Sequence, residues 1–359
     1  MNTPTRAEQI LTKFHLQGNV ISCKEFGSGH INDTYKVDTD DDHCYILQRI
    51  NKFVFNNPVE VMQNVSAVTD FLRTTLKCPR ETLHFIRTDE NLRYFVDEND
   101  DCWRCYEFTD GICLEAPESE EDFYQSAIAF GRFQEMLSDF PADTLHETIP
   151  MFHNTVNRYR LFKEALDVDR VGRASTIAEE VEFIMEREDE AGTICRLLES
   201  GELPLRVTHN DTKINNVLLD KENRKALCVL DLDTVMPGSS LYDYGDSIRF
   251  GASTAAEDEK DLDKVWCDME LFRTYTEGFL EGCNGSLTDL EVEMLPMGAK
   301  MMTLECGIRF LADYLNGDTY FRTHYEGQNL DRARTQFKLV ADMESKWDTM
   351  MNIVKECAK

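Results

Sequence analysis

Apolar residues alternate with polar ones in short runs over the first third of the chain, the period of half-buried strands. Strands are predicted over 20–25, 33–37, 44–50, 92–96 and 103–108, with the acidic turns Asp38-Thr-Asp-Asp-Asp42 and Asp97-Glu-Asn-Asp-Asp101 between some of them. One helix interrupts the series. Asn57 suits an N-cap, Pro58 the first helical position, and Glu60 completes a capping-box-like arrangement. Val61, Val65, Val68 and Leu72 then recur at helical spacing. Beyond about residue 110 the pattern lengthens. Ser119 caps a helix whose Phe123, Ala127, Phe130, Phe133 and Leu137 form one apolar stripe, and further helices are expected near 176–200, 260–282, 288–316 and 330–356. Residues 203–232 break this run with two short strands, Arg206-Val-Thr-His and Ala226-Leu-Cys-Val-Leu-Asp, around a polar loop. There is no repeat and no low-complexity linker. The expected class is α+β and bilobal: an antiparallel-sheet lobe over 1–110, a larger, mostly helical lobe over 111–359, and a short hinge near 108–111.

Composition changes this picture little and narrows the function. At 359 residues, with 42% apolar and 29% charged, the chain has the make-up of an ordinary two-lobed globular protein that folds without disulfides or metal. Its 67 acidic against 38 basic residues leave a formal charge of −29. Such a surface repels phosphate backbones and anionic membranes, so no nucleic-acid, membrane or other macromolecular partner is expected. No apolar run approaches the roughly 20 residues of a membrane span. The polar segment 1–18 lacks a signal core, and the twelve cysteines are scattered, so a cytoplasmic location is expected. Cys102-Trp-Arg-Cys105 has the spacing of half a zinc site. On a strand, however, residues three apart face opposite ways, and no second pair completes the set.

The chemistry concentrates in His209-Asn-Asp-Thr-Lys-Ile-Asn-Asn216 and the following Val229-Leu-Asp-Leu-Asp233. Phosphoryl transfer needs a base or orienting group for the attacking hydroxyl and oxygen ligands for a divalent cation. Asp211, Asn216 and Asp231 have the right atoms, because hard Mg²⁺ takes carboxylate and amide oxygens while keeping several waters. Singly, each would be an ordinary loop residue bonding its own backbone; the combination, in this order, points to catalysis.

The pattern His209-x-Asp211-x-x-x-x-Asn216, followed by a strand ending in Asp231, resembles the catalytic segment of the aminoglycoside phosphotransferase and choline kinase family. The resemblance spans essentially the whole chain. It implies a protein-kinase-like fold with a nucleotide-binding lobe over 1–110 and a catalytic, substrate-binding lobe over 111–359. Five segments (Gly27–Tyr35, Arg206–Lys213, Asp231–Gly238, Asp246–Thr254 and Glu305–Tyr314) are similar in particular to the N-acetylhexosamine 1-kinases of that family. This implies transfer of phosphate from ATP, with Mg²⁺, to the anomeric C1 hydroxyl of a sugar such as N-acetylglucosamine or N-acetylgalactosamine.

On that resemblance Asp211 is the catalytic base, and Asn216 and Asp231 hold Mg²⁺. Asp233 is an auxiliary ligand that shares the face of Asp231 if the strand continues. Gly27 and Gly29 let a backbone loop approach the ATP phosphates, and His30, Arg309 and Tyr320 contact the sugar. The plainer readings are a local Arg309–Asp313 ion pair and a packed Tyr320. One departure stands out: such kinases place a Lys or Arg on the third strand against the phosphates, and here Gln48 takes that position, with Arg49 turned to the other face. Two alternatives therefore accompany the sugar kinase. One is a kinase for choline, homoserine or an aminoglycoside, and the other is a non-catalytic nucleotide- or sugar-binding pseudokinase.

Overall fold

The computed structural model describes residues 5–27, 32–76 and 78–359. In chain order the elements begin with α1 (Arg6–Leu11), β1 (Val20–Glu25), β2 (Asp33–Thr39), β3 (Cys44–Arg49), α2 (Pro58–Thr75), β4 (Phe95–Val96), β5 (Cys102–Glu107), β6 (Ile112–Cys113) and α3 (Glu120–Met136). They continue with α4 (Thr155–Val168), α5 (Ala178–Met185), α6 (Glu188–Ala191), α7 (Thr193–Ser200), β7 (Arg206–Thr208), β8 (Val217–Leu219), β9 (Ala226–Val229) and β10 (Met236–Gly238). The last are α8 (Ser240–Gly251), α9 (Met269–Cys283), α10 (Asp289–Glu293), α11 (Leu295–Asn316), α12 (Gln328–Ser345) and α13 (Trp347–Cys357). This is the α+β architecture expected, an N-terminal antiparallel sheet followed by a helical remainder.

Two compact units result. The first takes Met1–Ile112 and recruits two later segments, Asp139–Pro150 and Leu218–Met236; the second holds the rest. In the first unit the sheet order is β1-β2-β3-β5-β4. Strand alternation separates its faces. Val37, Tyr45, Leu47, Trp103 and Cys105 pack with Ala7, Ile10, Leu11 and Phe14 in and after α1. The opposite face carries Thr34, Gln48 and Arg104, aligned directly across β2, β3 and β5. There Met62 of α2 brings its sulfur 3.9 Å from an Arg104 nitrogen. Asn57 caps α2 by accepting the Glu60 backbone N–H. Cys102 and Cys105 lie on β5 as buried free thiols, and burial pushes the Cys102 pKa up to about 12.

In the second unit α3 packs on α9, and α11 on α4, α8 and α12. The α3–α9 contact depends on a bare backbone, because a side chain at Gly131 would stand 2.3 Å from the Phe279 carbonyl oxygen. Ser119 caps α3 through the Asp122 N–H, as expected. The long predicted helices are broken: 176–200 into α5, α6 and α7, 288–316 at Met294, and 330–356 at Lys346. The first part of 260–282 is irregular, and α9 starts only at Met269, capped by Asp268. Helices α1, α4 and α8 were not anticipated. Among the described residues, no helix is long and apolar enough to cross a membrane.

Candidate functional site

In the second unit the loop after β7 is fixed from beneath. His209 is fully buried, edge-on to Phe130 and Phe133, with ring centroids 5.4 and 6.0 Å away. Asp243 of α8 accepts the backbone N–H groups of His209 (2.9 Å) and Asn210 (2.8 Å) and the side-chain amide of Gln134 (2.8 Å). Burial pushes the Asp243 carboxyl up, against the pull of His209 and these donors. The Thr212 hydroxyl donates to the Asp243 carbonyl at 2.7 Å, and Ser247 donates to the Thr212 carbonyl at 2.8 Å. Between these anchors Asn210 adopts a φ of +65° and Asp211 follows, half-buried.

Asn216 donates its amide N–H to the Asp211 carbonyl (2.8 Å) and to Asp211 Oδ2 (3.2 Å). Its nitrogen is thereby committed, and the amide oxygen is the atom left for a cation. Lys213 Nζ lies 2.9 Å from Asp211 Oδ1. Partial burial opposes its charge, but Asp211 and Asp246 raise its pKa above the ordinary lysine value.

A second cluster adjoins this loop within the same unit. His153 Nδ1 is 2.9 Å from Glu305 Oε1, and its Nε2 is 3.4 Å from the Asn210 carbonyl oxygen. Glu305 is 1% exposed, and His153, Arg158 and Arg309 hold its pKa down against the effect of burial. Arg309 lies over the rings of Phe152, Tyr320 and Phe321, 5.3, 6.0 and 5.5 Å from their centroids. Asp313 is not its partner. That carboxylate accepts the backbone N–H groups of Thr319, Tyr320 and Phe321 and the Asn329 amide, which shapes the turn carrying Tyr320. Tyr320 itself is 71% exposed rather than packed away.

In the first unit Gly27 has a φ of +84° just past β1, while Gly29 and His30 lie outside the described residues. Strand β9 stops at Val229. Asp231 follows at φ +52°, exposed, and residues 232–234 form a tight turn that buries Asp233. The strand does not continue, so the two carboxylates do not share a strand face. Asp233 pairs instead with the buried Arg104 and accepts the Asn32 amide at 2.7 Å. Gln48 accepts from Arg104 Nε at 2.9 Å and donates to Thr34 at 3.0 Å. Arg49, as expected, faces the other way, onto Asp33 and Asp101. Among the described residues, no group of three or more His, Cys, Asp or Glu is placed to hold a metal by itself.

The family model described as "Phosphotransferase enzyme family" (APH) matches residues 22–275. This chain belongs to the APH phosphotransferase family. It is a small-molecule phosphotransferase acting on a hydroxyl acceptor. Among solved structures, a microcompartment-associated aminopropanol kinase is 19% identical, with a TM-score of 0.63 over 95% of this chain and 97% of that one. An aminoglycoside 2'-phosphotransferase-IIIa, solved as its GDP complex, is 13% identical, with a TM-score of 0.60 over 89% and 93%. A Plasmodium vivax ethanolamine kinase is 14% identical, with a TM-score of 0.54 over 88% and 82%. At these identities the likeness is one of fold.

Sequence reasoning about this phosphotransferase missed several residues. Lys213 had a local signal, two positions after Asp211. Asp243, His153 and Arg104 had none, because their relation to the loop or to Asp233 exists only once distant segments pack.

Proposed function

We propose that this phosphotransferase transfers the γ-phosphoryl group of ATP to the anomeric C1 hydroxyl of an N-acetylhexosamine, giving the sugar 1-phosphate and ADP. Asp211 accepts or orients the C1 hydroxyl proton. The anchored loop around it favours that role, since a base must be held in place to act on a bound hydroxyl. Asn216 and the exposed Asp231 each offer an oxygen of the kind that hard Mg²⁺ takes alongside waters and phosphates. When bound, that cation neutralises charge on the phosphate oxygens. Gly27 and Gly29 are assigned to the phosphates by the sequence resemblance alone. Asp233, whose two oxygens are engaged by Arg104 and Asn32, supports the segment carrying Asp231.

One observation carries the choice of acceptor: the charge around Arg309. His153, Arg158 and Arg309 act on the buried carboxylate Glu305, and Asp246, which also feels His153, is paired with Arg249, so this cluster offers no surplus of negative charge to a cationic amine. Arg309 over Tyr320 and Phe321 combines hydrogen-bond donors with ring faces, the pairing that suits a neutral sugar with an acetamido oxygen. The aminopropanol, ethanolamine and aminoglycoside kinases that share the fold are named for amine-bearing acceptors, and a choline or aminoglycoside substrate here would meet guanidinium groups. His30 is assigned to the same sugar by the sequence resemblance alone.

The test is ADP release from Mg-ATP with N-acetylglucosamine, N-acetylgalactosamine, choline, homoserine and an aminoglycoside in parallel. Release with the two sugars supports the proposal. Release only with an amine or homoserine overturns the acceptor, and nucleotide binding without release for any acceptor makes the chain a non-catalytic binder.

A further inference from the structure

A kinase that carries glutamine where its relatives carry the third-strand cation must meet phosphate and metal charge in another way. The first unit carries a cation one strand further on. Gln48 lies directly opposite Arg104 on β5, and Thr34 directly opposite Gln48 on β2, so the three side chains form one row across the sheet. They are joined in sequence, Arg104 Nε to Gln48 Oε1 at 2.9 Å and Gln48 Nε2 to Thr34 Oγ1 at 3.0 Å. The neutral amide thus orients a guanidinium one strand further on.

The partner differs as well. Protein kinases pair the third-strand lysine with a glutamate on the helix packed against the sheet. Here that helix, α2, presents the Met62 thioether to Arg104, and the carboxylate comes from Asp233. Both members of the pair are 4% exposed. The other Asp233 oxygen accepts the Asn32 amide at 2.7 Å, and Asn32 Oδ1 accepts the Asn51 N–H at 3.0 Å. The network therefore ties three pieces together: the sheet, Asn32 just before β2, and the turn that follows Asp231.

We propose that Arg104 is the positioning residue that replaces the third-strand cation, acting through Asp233 to hold Asp231 in place for the metal–nucleotide complex. The inference rests on the kinase reading above. Arg104 is too buried to be offered as a phosphate contact; its effect is transmitted by the turn 232–234, where Asp231 holds a left-handed backbone that a loosened Asp233 would release. Burial opposes the Arg104 charge and Asp233 more than offsets it, with Asp231 adding a smaller attraction, so the guanidinium keeps its proton.

The experiment is calorimetric titration of ADP, with and without Mg²⁺, into the wild type, Arg104→Lys and the charge-neutral pair Arg104→Met/Asp233→Asn. Thermal unfolding is recorded for each. The single change Arg104→Met would strand a buried carboxylate and compromise folding, which is why the neutral pair is used. A partner that orients a metal ligand is worth about 10–100-fold in metal affinity. The neutral pair is therefore expected to unfold cooperatively, to lose at least about tenfold of its Mg-ADP affinity, and to change its metal-free ADP affinity by less than about threefold. Arg104→Lys is expected to recover most of the loss. A folded neutral pair that binds Mg-ADP as the wild type does, or that weakens equally with and without Mg²⁺, overturns the role of Arg104 alone. A wild type that binds no ADP in either condition overturns the nucleotide reading itself.

Discussion

The carboxylate of Asp243 accepts the backbone N–H of Asn210 at 2.8 Å and so pins the residue immediately before Asp211 in a left-handed conformation. Asparagine tolerates that backbone better than most residues, yet it still needs tertiary support. The same carboxylate holds the His209 N–H and the Gln134 amide, so one buried side chain of α8 sets the path of the whole loop.

Asp243→Asn places an amide NH₂ against backbone donors. Hydrogen bonds to a charged acceptor contribute about 1.5–3 kcal/mol each, so the variant should lose about 2–3 kcal/mol of stability. For a chain of this size that is a fall of roughly 3–4 °C in Tm, read by calorimetry. A Tm within a degree of wild type would show that the loop does not depend on Asp243.

Asp211→Asn keeps the shape of the side chain and removes the base. Turnover should fall by about 10²–10⁴ while Tm stays within a few degrees, because Asp211 is half-exposed and its neighbours are held by other groups. Measurement of kcat alongside thermal unfolding separates the two effects. Near-wild-type turnover in the folded variant would remove Asp211 from the mechanism.

The strands of the first unit were legible because β1, β2, β3 and β5 alternate over one buried face, which only one register satisfies. Helix α8 was not. Its Ser240, Asp243, Asp246, Ser247 and Arg249 are buried polar residues that read as loop until their partners are in place. Helix α4 hid for a different reason: only Thr155, Tyr159, Phe162 and Ala165 of its fourteen residues are buried, too thin a stripe to announce itself. The break at Met294 had a signal in Pro296, which sits in the first turn of α11; that at Lys346 had none. Asp211, Asn216 and Asp231 stood out in the sequence by residue type and order, and Asp211 and Asn216 lie together on the anchored loop. Arg104 was invisible because strand register, not spacing, brings it to Gln48 and Asp233.

Arg309 supplies a second test. Removing one charge-assisted hydrogen bond to a bound acceptor costs roughly 10–100-fold. Arg309→Ala should raise the acceptor KM by that factor and leave the KM for ATP within about twofold. Arg309→Lys should recover only part of the loss, since an ammonium cannot stack its plane on Tyr320 and Phe321. Equal changes in both KM values would argue for general damage rather than an acceptor contact.

Acid stability should report on the opposite face of the sheet. Burial would raise the Asp101 pKa, but Lys52, Arg6 and Arg49 lower it to about 2. A carboxyl with a folded pKa below its unfolded value of about 3.9 stabilises fully above that unfolded value and loses its contribution as pH falls through the folded one. The stability difference between wild type and Asp101→Asn should therefore be constant near neutrality and shrink from about pH 4 downward. Urea midpoints for both proteins between about pH 6 and 3 would show it. A difference that stays flat across that range would contradict the ion-pair assignment.

The central claim is where the phosphate lands. Proton–phosphorus correlation NMR of the product formed from Mg-ATP and an N-acetylhexosamine answers it, because a phosphate on C1 couples to the anomeric proton, one on C3 or C4 to another ring proton, and one on C6 to two protons. The account predicts coupling of the phosphate to the anomeric proton, with ADP formed in equal amount. A sugar phosphate without that coupling, or ADP formed with no sugar phosphate at all, would contradict it.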